Sequence, residues 1–223
     1  MKKVLSIFIL SLVFSLTILA QQNPKVFAVK TDNGIAVCYN NGNKTFAFEI
    51  FGKDIKPQNT SPDLMLFVVD GKVFQVNFPK LADVLEGKKM TDEKEILKAH
   101  QKWELDFQSE QVFKQKLIAE NENTIFLNLP KGESKQTFFW TYQRPAGKTN
   151  DQFVGDAFQS TLIGDTVLVI GSPLAPNQDL RERRQYFNAT LSTLMFFDKE
   201  ISPNAPKPTS TKPKRKQKVK AKS

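Results

Sequence analysis

The sequence predicts an α+β protein built on antiparallel sheet, sandwich-like, with two main helices at about 91–107 and 178–197. Three observations predict it. The run Thr166–Gly171 is apolar at Val167, Leu168, Val169 and Ile170 in succession. A strand with one wet face would alternate, so both faces of this one must be covered. Asp70-Gly71 separates two β-rich runs, which signals a two-residue type I′ hairpin because both central residues need positive φ. The clearest helical spacing falls in two stretches, each preceded by a capping residue and separated by strand patterns.

The N-terminal part reads as a meander. Lys25–Val29, Ile35–Tyr39 and Lys44–Phe51 are strand patterns divided by Asp32-Asn33-Gly34 and Asn40–Asn43 turns. Lys53–Asp63, with Pro57, Asn59, Ser61 and Pro62, reads as a loop. The hairpin Leu64–Phe78 follows, with a register that places Phe67 opposite Phe74 and Met65 opposite Val76. Those four share a face with Phe78, and Lys72, Gln75 and Asn77 lie towards edges or solvent. Pro79 ends the strand. Thr91 is the expected cap of the first helix, and Asp92, Glu93 and Glu95 suit its positive end. Ile96, His100, Trp103 and Phe107 fall on one face, which Leu97 widens.

Strand patterns return at Lys116–Ala119, with Glu120–Asn123 as a turn. Thr124–Leu129 and Gln136–Tyr142 follow across Pro130–Glu133. Arg144–Asp156 reads as a long loop. Ser160–Ile163 and Thr166–Ile170 pair across Gly164-Asp165, a type II′ signal. Asn177 is the expected cap of the last helix, where Leu180, Phe187, Leu191 and Leu194 repeat, with Met195 alongside; Arg183 and Arg184 interrupt the stripe. The predicted order is five strands, helix, five strands, helix. Cover for Thr166–Ile170 comes from helices on both sides, or from a helix on one side and a second sheet on the other.

Residues 1–20 read as a secretory signal peptide: Lys2 and Lys3, an apolar run from Val4 to Leu19, and Ala20 before Gln21. No later segment is apolar enough to span a bilayer, so no integral span is expected in the mature chain. Residues 21–200 suit a single domain, a β-meander over 25–79 joined to a second half over 90–197. The hydrophobic fraction of 40%, with 19 Phe, supports a substantial core. Residues 201–223 form a Lys/Pro-rich tail whose composition predicts disorder. The net charge of +9 belongs to the ends. Setting aside Lys2, Lys3 and the eight cations after Glu200 leaves residues 21–200 at −1. A basic groove in the body is therefore not implied. Cys38, the single cysteine, excludes an internal disulfide.

Chemistry-bearing motifs are scarce. His100 is the single histidine. With Glu93 and Glu104 on its own helix as neighbours it makes a poor zinc site and reads as a packed side chain. No serine sits in a nucleophile elbow, and no phosphate-cradling glycine motif occurs. Cys38 has no electropositive neighbour in sequence and reads as a buried thiol. Acidic residues such as Glu104, Asp106, Asp151 and Asp156 could form a pair only through folding. The sequon at Asn188 falls within the expected helix and is discounted.

The aromatic strand Gln136–Tyr142, the hairpin Ser160–Ile170 and a closing helix with Arg184, Phe187, Leu191 and Leu194 resemble the ending of the Mog1/PsbP-like α/β/α sandwich proteins. The resemblance covers roughly residues 90–197. It implies a small accessory or envelope protein and carries no functional residues across.

The functional expectation is an exported, non-enzymatic accessory or binding protein of the cell envelope, periplasmic or extracellular, with no cofactor and no metal. The partner is an anionic envelope component or another envelope protein, and nucleic acid is not expected. Lys212, Lys214, Arg215, Lys216, Lys218 and Lys220 would meet the anionic partner. One alternative is a small-ligand binder using Phe139, Trp140, Tyr142 and Arg144. The other is a hydrolase with a carboxylate pair.

Overall fold

A computed structural model describes residues 25–41, 44–61, 64–147 and 153–203. The expected signal peptide and the tail beyond Pro203 lie outside these residues. In chain order the strands are β1 (Lys25–Lys30), β2 (Gly34–Asn41), β3 (Lys44–Phe51), β4 (Ile55–Ser61), β5 (Leu64–Val69) and β6 (Lys72–Asn77). They continue with β7 (Glu120–Asn128), β8 (Ser134–Gln143), β9 (Gly155–Ile163), β10 (Thr166–Leu174) and β11 (Met195–Phe197). The helices are α1 (Leu81–Leu85), α2 (Glu93–Phe107) and α3 (Leu180–Leu191); α2 runs on into a π-helical turn, Gln108–Phe113. The fold class is α+β, as predicted.

The apolar run sits at the centre. The larger sheet has the order β4-β5-β6-β10-β9-β8-β7, all pairs antiparallel, with β10 in the middle. Val167 and Val169 share a core with Leu97, Trp140 and Phe158 on the face covered by α1 and α2. Leu168 and Ile170 share the other core, with Phe46, Phe48 and Phe187. A second sheet, β1-β2-β3-β11, covers that face together with α3. Of the two expected covers, a helix opposite a second sheet is the one realised, with α3 added beside the sheet.

The hairpin matches its expected register, Phe67 against Phe74 and Met65 against Val76. Asp70 and Gly71 have φ of 49° and 80°, as a type I′ turn demands. Met65, Phe67, Phe74, Val76 and Phe78 are all buried.

Several boundaries differ from expectation, each for a local reason. Lys53–Asp63 is not a loop throughout, because β4 pairs with β5 with an irregularity between Pro57 and Thr60. At a sheet edge a proline costs no ladder bond. The cap of α2 is Asp92, whose carboxylate accepts from Glu95 N at 2.9 Å, rather than Thr91. Residues 116–119 are not a strand; Ile118 is exposed. The expected turn at Glu120–Asn123 instead begins β7 as an irregularity, with Asn121 left-handed at φ 54°. The cap of α3 is Asp179, accepting from Arg181 N, while Asn177 takes a left-handed conformation in the preceding turn. The last helix stops at Leu191 rather than running to Phe197. Ser192 bonds back to Asn188 O, Thr193 Oγ1 accepts from Glu49 N, and Met195–Phe197 join β3 as an edge strand.

Polar ties fix the layers. The Tyr39 and Thr166 hydroxyls lie 3.2 Å apart, joining the small sheet to β10. Gln159 Nε2 donates to Thr137 Oγ1 and to Asn188 Oδ1, joining β9 to β8 and α3. Asn188 is thereby engaged, which accounts for a sequon in mid-helix. Cys38 is buried, and burial pushes its thiol up to about 11.

Both faces of β10 carry load. Val167→Ala should cost about 2 kcal/mol and Leu168→Ala about 3 kcal/mol in urea denaturation. A strand with one wet face would show the loss in only one of the two variants. His100 lies fully buried on α2, and desolvation lowers its pKa from 6.5 to about 4. The unfolded chain then takes up the proton first, so stability is full above 6.5 and falls as pH drops towards 4. Unfolding free energy should decrease by about 2–3 kcal/mol between about pH 7 and pH 4.5 from this residue, and His100→Leu should flatten that part of the profile.

Candidate functional site

The aromatic strand expected to offer a ligand surface belongs to the core. Phe138, Trp140 and Tyr142 face the α1–α2 layer and Phe139 faces the opposite core, beside Phe187. Trp140 stacks on Phe158 with ring centroids 4.5 Å apart. Alternation along β8 explains the split, since successive side chains enter opposite layers. These rings serve as packing on both sides of the sheet.

At the end of β8 the chain gathers a charged cluster that the sequence could not assemble. Arg144 donates through Nε and Nη2 to the two oxygens of Asp156, each at 2.8 Å, with both side chains largely buried. The Tyr142 hydroxyl is also hydrogen-bonded to Asp156, and burial first, then Asp156, drives its pKa upward. Gly155 permits the close approach of β9, because a Cβ there would meet Tyr142 O at 2.4 Å. Glu104 comes near from α2. Burial raises its pKa, Gln108 Nε2 donates to it at 2.7 Å and lowers it, and the Asp156 charge raises it further.

Glu104 and Asp156 are therefore brought near each other by folding, with both Asp156 oxygens held by Arg144 and Glu104 Oε1 held by Gln108. Arg144 holds Asp156 bidentately, the strongest geometry for such a pair. This is a structural brace between the end of β8 and the start of β9. Among the described residues, no group of three His, Cys, Asp or Glu side chains is placed to hold a metal.

A second place has open space. Between the β5–β6 turn and the start of α3 lies a recess of about 160 Å³. Phe74, Tyr186 and Arg183 form its inner wall, and Asp70, Lys72 and Glu182 its rim. Tyr186 stacks on Phe74 with centroids 4.8 Å apart and donates its hydroxyl to Phe51 O at 2.7 Å. Burial raises its pKa to about 12. The Arg183 guanidinium lies over the Phe74 ring, 5.0 Å from the centroid. Arg183 is 4% exposed, and its Nε has no hydrogen-bond partner.

Among the described residues, no carboxylate lies within ion-pairing distance of that guanidinium. The nearest rim acid, Glu182, faces Lys72 Nζ at 3.7 Å. Asp70 accepts from the backbone N–H groups of Lys53 and Asp54. In the sequence, Arg183 reads as an interruption of an apolar stripe. The usable signal is an arginine spaced like the core residues of its helix.

Of the residues that the sequence singles out, Phe139, Trp140, Tyr142 and Arg144 do not line this recess. Lys212, Lys214, Arg215, Lys216, Lys218 and Lys220 lie outside the described residues. Among the described residues, no helix is long and apolar enough to cross a membrane.

If the Arg144–Asp156 contact is a brace, Arg144→Ala leaves a buried carboxylate beside Glu104 and should cost about 3–5 kcal/mol. The double variant Arg144→Met, Asp156→Leu should recover much of that, read by chemical denaturation. A surface role for Arg144 would leave stability nearly unchanged.

No protein-family model and no curated protein matches the chain. Among solved structures, the solution structure of cyanobacterial PsbP from Synechocystis sp. PCC 6803 is similar, with a TM-score of 0.40 at 10% identity. The match covers 78% of this chain and 92% of that one.

Proposed function

We propose that the protein is an exported, non-enzymatic binding protein of the cell envelope, drawn to anionic surfaces by its C-terminal cations. The observation that carries this reading is the segregation of charge. Residues 21–200 sum to −1, while eight cations and no acid follow Glu200. Such a charge distribution attracts a polyanion to one end of the chain and leaves the body free for another contact.

The packing of the body agrees with a binding role. Its aromatic strand fills the core on both sides, and its buried acid pair is held by Arg144, Tyr142 and Gln108. The apolar leader, residues 1–20, supports export, which makes lipid phosphate or acidic envelope polysaccharide the natural anion. Attraction of this kind falls as salt rises.

The intact chain and a variant ending at Pro203 are compared for binding to anionic phospholipid vesicles and to envelope fractions across a salt series. The intact chain should bind at low ionic strength and release as salt rises, with a slope that the truncated variant lacks. Equal binding by both, or binding indifferent to salt, would reduce the cations to a solubilising role.

A further inference from the structure

The recess beside α3 holds an arginine whose surroundings lack its natural counterpart. A guanidinium stays charged in a protein and offers five donors in a planar fork. Buried arginines ordinarily meet a carboxylate or phosphate. Arg183, 4% exposed, rests on an aromatic ring and lines the recess, with its Nε buried and unpartnered. It also stands in the first turn of α3, capped by Asp179, where the helix dipole is itself positive. Burial alone already pulls its pKa below the ordinary value. An anion in the recess would relieve all three costs together.

We propose that this recess is a binding site for a single carboxylate, held bidentately by Arg183 against the Phe74–Tyr186 wall. Size and charge choose this ligand class. At about 160 Å³ the space accepts a small group rather than a whole cofactor-sized molecule. Lys72 faces Glu182 and Asp70 caps the turn at Lys53 and Asp54, so the rim carries one net negative charge and the lining with Arg183 is neutral. Of the two lining cations Lys72 has a carboxylate partner and Arg183 has none among the described residues, so a monoanion supplies the missing partner. A phosphate carrying close to two negative charges would be repelled by Asp70 and Glu182 more strongly than a monoanion. A free small acid and the end of a peptide chain both present the same planar carboxylate to the fork. The site is built from residues of the body alone and does not depend on envelope attraction.

The test is an NMR titration of the nitrogen-labelled full chain, followed at the Arg183 Nε–Hε resonance. The probes are acetate, inorganic phosphate, a short peptide with a free C-terminus and the same peptide as its C-terminal amide. Saturable shifts are expected from acetate and the free-acid peptide, and none from the amide. A tighter response to the peptide identifies a chain terminus, and an equal or tighter response to acetate identifies a small acid. Arg183→Gln should weaken binding about tenfold or more, and Arg183→Lys, which keeps charge without the fork, should weaken it less. Absence of any saturable shift, a matching response to the amide, or tightest binding by phosphate would overturn the proposal. The wild-type titration decides the matter even if a variant folds poorly.

Discussion

The constraint on which the structure depends is burial of β10 on both faces. Val167, Leu168, Val169 and Ile170 are each no more than 1% exposed. At about 1.5–3 kcal/mol for each buried aliphatic side chain, their gross contribution is comparable with the whole net stability of a domain. Satisfying them requires a strand on each edge and a layer on each side. The chain supplies β6 and β9 as edges, α1 and α2 above, and the small sheet with α3 below. Elements from opposite ends of the sequence must therefore meet at one strand. The Tyr39–Thr166 contact marks that meeting, linking the first half of the chain to the first residue of β10.

Features governed by local rules were legible in the sequence. The Asp70-Gly71 turn needed only the backbone freedom of its two residues, and it set the register of four aromatic and aliphatic side chains. The doubly buried run was legible because a short strand that is apolar at every position leaves neither face fit for water. Elements set by distant pairing were not. Met195–Phe197 continue the helical spacing of Leu191 and Leu194, and only the available edge of β3 makes them extended. Pro57 argued against a strand, yet the edge position of β4 removes the objection.

The two charged places in the body show the same limit from opposite sides. Glu104 and Asp156 looked like ordinary solvated acids, and folding buries both beside Arg144 and Tyr142. Arg183 looked like an exposed break in a stripe, and folding lays it on Phe74. In one site the cation meets a carboxylate bidentately and acts as a brace. In the other the cation meets an aromatic ring and, among the described residues, no carboxylate. Composition and net charge could not separate them, because the difference lies in which side chains the two ends of the sheet bring within reach.

Asn40 holds Ile201 at two points, with Nδ2 donating to its carbonyl at 2.8 Å and Oδ1 accepting from its N–H at 3.1 Å. This side-chain grip imitates one rung of a ladder just beyond β11. It ties Ile201, a few residues past β11, to the small sheet. A pull applied beyond Pro203 would meet this asparagine first and then a three-residue strand held at the edge of β3.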